Sequence, residues 1–193
     1  MSLGENHTDG LTAGRFTPTA CVASNDLALG MMIEAVSSSK FWPETAIFVI
    51  EDDAQNGPDH VDARRTVGLL YSPYVKRGIV DSTMYTTVSY LRTMELILGL
   101  PPMTQYDALA TPLYNAFTAV PTLTAYSHVP AYSHVPARVD LMAKNPATGS
   151  CARRSARLDF SDYDRADFGE LNEILWNAFK DTPMPAPVRS ALP

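Results

Sequence analysis

Six consecutive residues, Thr45-Ala46-Ile47-Phe48-Val49-Ile50, constrain this chain more than any other stretch. The run is β-branched and aromatic, without the polar–apolar alternation of a strand that faces water on one side. It therefore predicts a strand buried on both faces, as in a parallel sheet. A second run of the same kind, Thr66-Val67-Gly68-Leu69-Leu70-Tyr71, is closed by Ser72-Pro73, and Ile79-Val80 is short enough to be an edge piece.

Helical spacing surrounds these strands. Ser24 or Asn25 can cap a helix in which Leu29, Met32, Ile33 and Val36 fall at i, i+3, i+4 and i+7. Thr86 or Thr87 opens another, carrying Val88, Leu91, Met94, Glu95 and Leu98. Gly99 ends it, and Pro101-Pro102 prevent its return. Helices interleaved with buried strands predict an α/β unit over residues 1–118, its sheet covered on both sides.

Residues 119–193 differ in character, holding 8 of the 15 prolines and few strand-like runs. The hexamer Ala-Tyr-Ser-His-Val-Pro occurs there twice in tandem, at 125–130 and 131–136. Two copies are too few for a solenoid and predict a local duplication in an exposed loop. One amphipathic helix is expected near 164–180, capped by Asp164. Its stripe of Phe168, Leu171, Ile174, Leu175 and Phe179 would dock on the sheet domain. From Pro183 onward the chain is expected to be extended or disordered.

A chain of 193 residues is long enough for one domain with a proper core. Apolar residues at 46% and charged residues at 19% argue against wholesale disorder. A net charge of −6 offers no electrostatic reason to expect nucleic acid as a partner. No apolar run approaches the ~20 residues of a membrane span, and no secretory leader is visible at Met1-Ser2-Leu3. Cys21 and Cys151 lie far apart, in no CxxC pattern, and predict incidental thiols.

The chemistry concentrates at Ile50-Glu51-Asp52-Asp53-Ala54-Gln55-Asn56-Gly57-Pro58-Asp59-His60. Functional groups of parallel α/β sheets collect at the carboxyl ends of strands. Three consecutive carboxylates at such an end repel one another unless positive charge sits among them. Asp52 and Asp53 would point to opposite sides of an extended backbone, serving two metals or one metal and a supporting partner. Asn56-Gly57-Pro58 can turn Asp59 or His60 back toward the same place. Mixed oxygen and nitrogen ligands suit Zn, Mn or Fe. A solvated acidic turn accounts for the same residues about equally well.

Asn6-His7-Thr8-Asp9-Gly10 is a second polar cluster, in which His7 is either a crevice ligand or an ordinary surface histidine. His128 and His134, both in the duplicated hexamer, are expected in solvent. Arg64-Arg65 can hold a phosphate oxygen or simply face water. The chain has no Gly-rich phosphate loop, no GxSxG and no HExxH.

Together, Phe41-Trp42, the stretch from Thr45 through Ala63, Ser72-Pro73-Tyr74, and Leu91 through Pro102 closely resemble the carboxyl-terminal part of bacterial phosphoesterases. These form the phospholipase C and acid phosphatase branch of the alkaline phosphatase superfamily, and the resemblance runs from about Asn6 to Phe117. It implies a partial three-layer α/β/α sandwich with a mostly parallel sheet, and metal-assisted hydrolysis of a phosphate ester. Asp52, Asp53, His60 and His7 match the family's metal ligands, with Zn, Mn or a similar divalent ion as cofactor. Arg64 and Arg65 are the phosphate-binding candidates.

Two departures bear on the site. Relatives have Asp where this chain has Asn6, and commonly His where it has Arg64. The family's Ser or Thr nucleophile belongs to a segment upstream of the one matched by His7, so the chain is expected to be a carboxyl-terminal fragment without it. The expected partner is a phosphate ester, either a small molecule or a phospholipid, and an exposed sheet edge would invite self-association. Relatives are often periplasmic or secreted, but the residues leave the compartment open. The competing expectation is a non-catalytic binding or assembly module with a degenerate metal site.

Overall fold

The computed structural model describes residues 9–51, 66–129, 139–162, 165–180 and 182–185. The chain divides into two compact units. One comprises residues 1–31, 54–63 and 128–193, and the other residues 32–53 and 64–127. The division falls within the first helix, α1 (Pro18–Ser37).

Helix α1 begins earlier than the Ser24–Asn25 cap predicts. Thr17 stands before Pro18, and the Ala20 N–H donates to Thr17 Oγ1 at 3.1 Å. Proline's fixed φ and missing N–H suit the first helical position, so Thr-Pro is the start signal here. Pro18, Ala20, Ala23, Leu29, Ile33 and Ser37 are buried along its length. By length and composition this 20-residue helix could cross a membrane. Scanning for an unbroken apolar run misses it because Ser24-Asn25-Asp26 interrupts the run.

In the first unit, residues 9–17 are pinned from the far end of the sequence. Buried Asn145 donates its side-chain amide to the carbonyls of Thr12 (3.1 Å) and Phe16 (3.2 Å). Its backbone N–H donates to Arg15 O at 2.8 Å. Ser155, 1% exposed, accepts the Leu11 N–H on Oγ at 2.8 Å. Gly10 takes φ +59°, and a Cβ there would lie 2.8 Å from Ser155 Oγ and 3.3 Å from Leu171 Cδ1, so no larger residue fits the turn. Ser155 ends the short helix α4 (Ser150–Ser155), which packs against α5 (Phe168–Phe179). Asp167, rather than Asp164, caps α5 by accepting the Glu170 N–H at 2.8 Å. Of the predicted stripe of α5, Leu171 and Ile174 are fully buried, Phe168 and Leu175 are half-buried, and Phe179 is exposed.

The second unit contains the strands, and here the predicted sheet is overturned. Among the described residues the sheet has two strands, β1 (Ile47–Ile50) and β2 (Gly68–Tyr71), paired antiparallel with Ile47 opposite Tyr71 and Ile50 opposite Gly68. This is not a three-layer α/β/α sandwich with a mostly parallel sheet. All four residues of β1 are half-buried rather than enclosed on both faces. An unalternating apolar run reports that neither face is fully wetted; it carries no information on the partner strand or its direction. Ile79 and Val80 form no edge strand, and Val80 is 93% exposed.

The helix α2 (Thr87–Leu98) follows its local signals. The Thr86 N–H donates to Ser89 Oγ at 3.1 Å. At the other end Gly99 adopts φ +68°, and the Leu100 N–H returns to the Glu95 carbonyl at 2.8 Å. Packed on α2 is α3 (Gln105–Leu109), whose start is tied by Asp107: its carboxylate accepts the N–H groups of Met103 (2.6 Å) and Thr104 (2.7 Å) and the Thr104 hydroxyl. Buried Thr93 joins α2 to the segment after α3, donating to Ser89 O at 2.7 Å and accepting the Leu113 N–H at 3.0 Å.

Trp42, 2% exposed, anchors an aromatic cradle in the same unit. The Tyr126 ring stands edge-on to Trp42 (centroids 6.0 Å apart) and to Tyr71 (5.5 Å). The Arg77 guanidinium lies 4.0 Å from the Tyr126 ring centroid, a cation–π contact. The Tyr126 backbone N–H donates to Ser37 Oγ at 2.9 Å.

Candidate functional site

Strand β1 leads directly into the acidic segment, and the structure shows how that segment's two ends are held. Ladder pairing extends one step past Ile50, where the Glu51 N–H donates to the Val67 carbonyl at 3.0 Å. The Glu51 carboxylate then reaches across the hairpin. Its Oε2 accepts the Thr66 hydroxyl at 2.9 Å and the Val67 N–H at 3.3 Å, and Thr66 Oγ1 also lies 3.2 Å from the Glu51 carbonyl. Residues 51 and 66 thus form a clasp from which residues 52–65 depart and to which they return.

The clasp engages the Glu51 carboxylate directly. Its oxygens are engaged by a hydroxyl and a backbone N–H, so Glu51 has a structural partner of its own. Thr66 was not a candidate from sequence; its position at the first residue of the second apolar run was the available signal. Asp52, Asp53, His60, Arg64 and Arg65 lie outside the described residues, as do Asp59 and the Asn56-Gly57-Pro58 turn.

His7 also lies outside them, but its flank is described. Asp9 pairs with Arg15 at 3.2 Å, and its carbonyl accepts the Thr12 hydroxyl at 2.7 Å, closing a turn. In the same unit the Cys21 thiol is pushed above its ordinary pKa, first by burial and then by the negative charge of Asp9. A raised pKa keeps it protonated and a poor nucleophile at neutral pH. His128 is half-buried rather than fully in solvent; its Cβ packs 3.1 Å from where a Cβ on Gly30 would stand. His134 lies outside the described residues.

Among the described residues no group of three or more His, Cys, Asp or Glu side chains is arranged to hold a metal ion. The nearest approach to an unsatisfied buried carboxylate is Glu95, 3% exposed, which receives Arg92 Nη1 on Oε2 at 3.1 Å while Oε1 has no hydrogen-bond partner. The described chemistry is therefore that of the Glu51–Thr66 neck. The chain matches no known protein-family model, and no curated protein matches it significantly.

Proposed function

We propose that this chain carries the metal-ligand portion of a phosphate-ester hydrolase, holding a divalent cation with Asp52, Asp53 and His60 and a further ligand in His7. The observation that carries the reading is the Glu51–Thr66 clasp, which ties the two ends of the acidic segment together. Joining the two ends of a ligand-bearing segment lowers the entropy cost of gathering its ligands. The resemblance of this segment to the strand-end ligands of the phospholipase C and acid phosphatase branch supports the same reading. The donor set fits the group: two carboxylates and one or two imidazoles suit Zn or Mn better than an all-oxygen ion such as Ca. A bound divalent ion would supply charge stabilisation to a phosphate ester. Arg64 and Arg65 would bind its remaining oxygens.

Titration calorimetry with Zn and Mn tests this directly. The expected result is binding tighter than about 1 mM that disappears in the Asp52→Ala/Asp53→Ala double variant. Absence of binding, or binding unchanged in that variant, removes the reading. Hydrolysis of p-nitrophenyl phosphate, measured with the same preparation, separates a metal-binding portion from a complete catalyst.

One observation favours a second reading, a non-catalytic assembly module. Along the end of α2 and over α3, Leu96, Ile97, Leu98, Leu100, Met103 and Leu109 are each more than 40% exposed. Apolar surface of that extent marks an interaction face, and among the described residues the sheet has only two strands. Sedimentation of the chain over a range of concentrations, with Leu98→Glu as the control, tests it.

A further inference from the structure

Helix α2 ends inside out. Its buried residues are Ser89, Thr93 and Glu95, all polar, and each finds a partner within the unit: Ser89 at the cap, Thr93 on the Leu113 N–H, and Glu95 on Arg92. The apolar side chains go the other way. From the end of α2 across α3 and just past it, Leu98, Leu100, Met103, Tyr106, Leu109 and Tyr114 are each more than half exposed. An amphipathic helix ordinarily turns its apolar side to the core and its polar side to water.

The same stretch is empty of surface charge. From Leu96 to Ser127 the chain has a single charged residue, Asp107, against 19% charged residues overall. Asp107 is buried, its carboxylate taken up by the N–H groups that start α3. Arg92 and Glu95, just before the stretch, are 19% and 4% exposed and pair with each other. At the margin, beside Tyr114, Lys76 Nζ donates to the Asn115 carbonyl at 2.8 Å. With about 200 Å² for a large side chain, the six residues together with Leu96 and Ile97 present on the order of 1,000 Å² to solvent. The largest apolar patch of an ordinary monomer is roughly 300–600 Å², whereas a stable interface takes about 800 Å² from each partner.

Building on the assembly reading above, we propose that this face is the interface between two copies of the chain, each contributing the same surface about a two-fold axis. Charge selects this occupant. Each copy carries a net charge of −6, so two copies repel except where neutral surface meets neutral surface. This face against itself brings no exposed carboxylate from the Leu96–Ser127 stretch into the contact. Homodimer interfaces are more apolar than transient ones, with charge depleted and aromatic residues and Met enriched at the centre. A helix that lies on lipid carries Lys and Arg on its polar side, but the polar side of α2 is buried in its own unit.

Sedimentation equilibrium of the full chain tests the interface with two double variants, Leu98→Glu/Leu109→Glu and Leu98→Lys/Leu109→Lys, each checked for the parent's circular dichroism. The parent should be a dimer at about 50 μM, within the affinity range of interfaces this size. Each charged variant should be monomeric there, and an equimolar mixture of the two should recover the dimer, because opposite charges then share the contact. Tyr106→Ala, which adds no charge, should weaken the dimer at least about tenfold. A parent still monomeric at about 100 μM overturns the proposal. So do charged variants that dimerise like the parent, and a mixture that stays monomeric. A monomeric parent that floats with phosphatidylcholine vesicles overturns it in favour of a lipid surface. Calorimetry with Zn and Mn on the same samples separates the interface from the assembly reading. A dimer that binds metal keeps the interface and removes the non-catalytic reading, whereas a monomer that binds none removes the interface and leaves that reading to another partner.

Discussion

The Thr66 hydroxyl donates to the Glu51 carboxylate at 2.9 Å, across the mouth of a hairpin whose connecting segment contains most of the residues with chemistry to offer. Removing the hydroxyl with Thr66→Val should cost about 0.5–1.5 kcal/mol, the ordinary worth of a hydrogen bond on an exposed neck. The more telling readout is amide exchange. The Glu51 N–H, bonded to Val67 O, should exchange faster in the variant while the α2 amides are unaffected. Equal protection of Glu51 in both proteins would show that the clasp does not close the hairpin.

Gly68 faces Tyr90 so closely that a Cβ would lie 2.3 Å from its hydroxyl oxygen and 3.1 Å from Cζ. Tyr90 in turn stands edge-on to Phe48, with centroids 6.0 Å apart. Gly68→Ala should therefore push the ring off its partner and cost about 1–3 kcal/mol, as overpacking does. Tyr90→Phe removes the nearer of the two clashing atoms. The double variant should be more stable than Gly68→Ala alone, which thermal unfolding of the four-member cycle would reveal.

Thr93 is buried, and its hydroxyl is the partner of the Leu113 N–H at 3.0 Å. Thr93→Val keeps the shape and deletes the acceptor, leaving a buried N–H unmatched. The expected loss is about 1–3 kcal/mol, larger than for a solvent-facing threonine. Thr93→Ser, which retains the oxygen, should recover much of it. A valine variant as stable as the parent would mean that Leu113 finds water instead.

Arg154 joins α4 to α5 through Glu170 and Glu173, the latter at 2.7 Å. The hydrogen bond from Arg154 holds the Glu170 carboxyl below its ordinary value of 4.5. A carboxyl whose pKa is depressed on folding stabilises the fold above its unfolded value, and that contribution fades as acid protonates it. Stability of the parent should fall as pH drops below about 4.5, and Arg154→Ala should flatten that part of the profile while lowering the plateau. Because the two glutamates are 36% and 49% exposed and Arg154 27%, salt should screen part of the difference.

Local signals were legible in the sequence where a few adjacent residues settle the outcome. Helix α2 runs between a threonine cap and a glycine that closes it in the left-handed region, and both ends are where the residue types require. The core-facing Leu171 and Ile174 of α5 were legible too, while the cap is Asp167, the residue directly before Phe168, rather than Asp164. The start of α1 was missed for a different reason: apolar periodicity weakens across its first turns, and Thr17-Pro18 is a cap signal rather than a periodic one.

Taken alone, the sequence determined that strands lie within Thr45–Ile50 and Thr66–Tyr71, that an acidic segment with a histidine joins them, and that one hexamer is written twice. Tertiary structure decided that the strands pair with each other in antiparallel fashion, that Glu51 clasps Thr66, and that Tyr126 is seated between Trp42 and Tyr71. The difference is physical. Strand formation and helix capping are governed by neighbours along the chain, whereas strand direction, cross-hairpin hydrogen bonds and aromatic seating depend on residues far away in sequence, whose encounter no local pattern encodes.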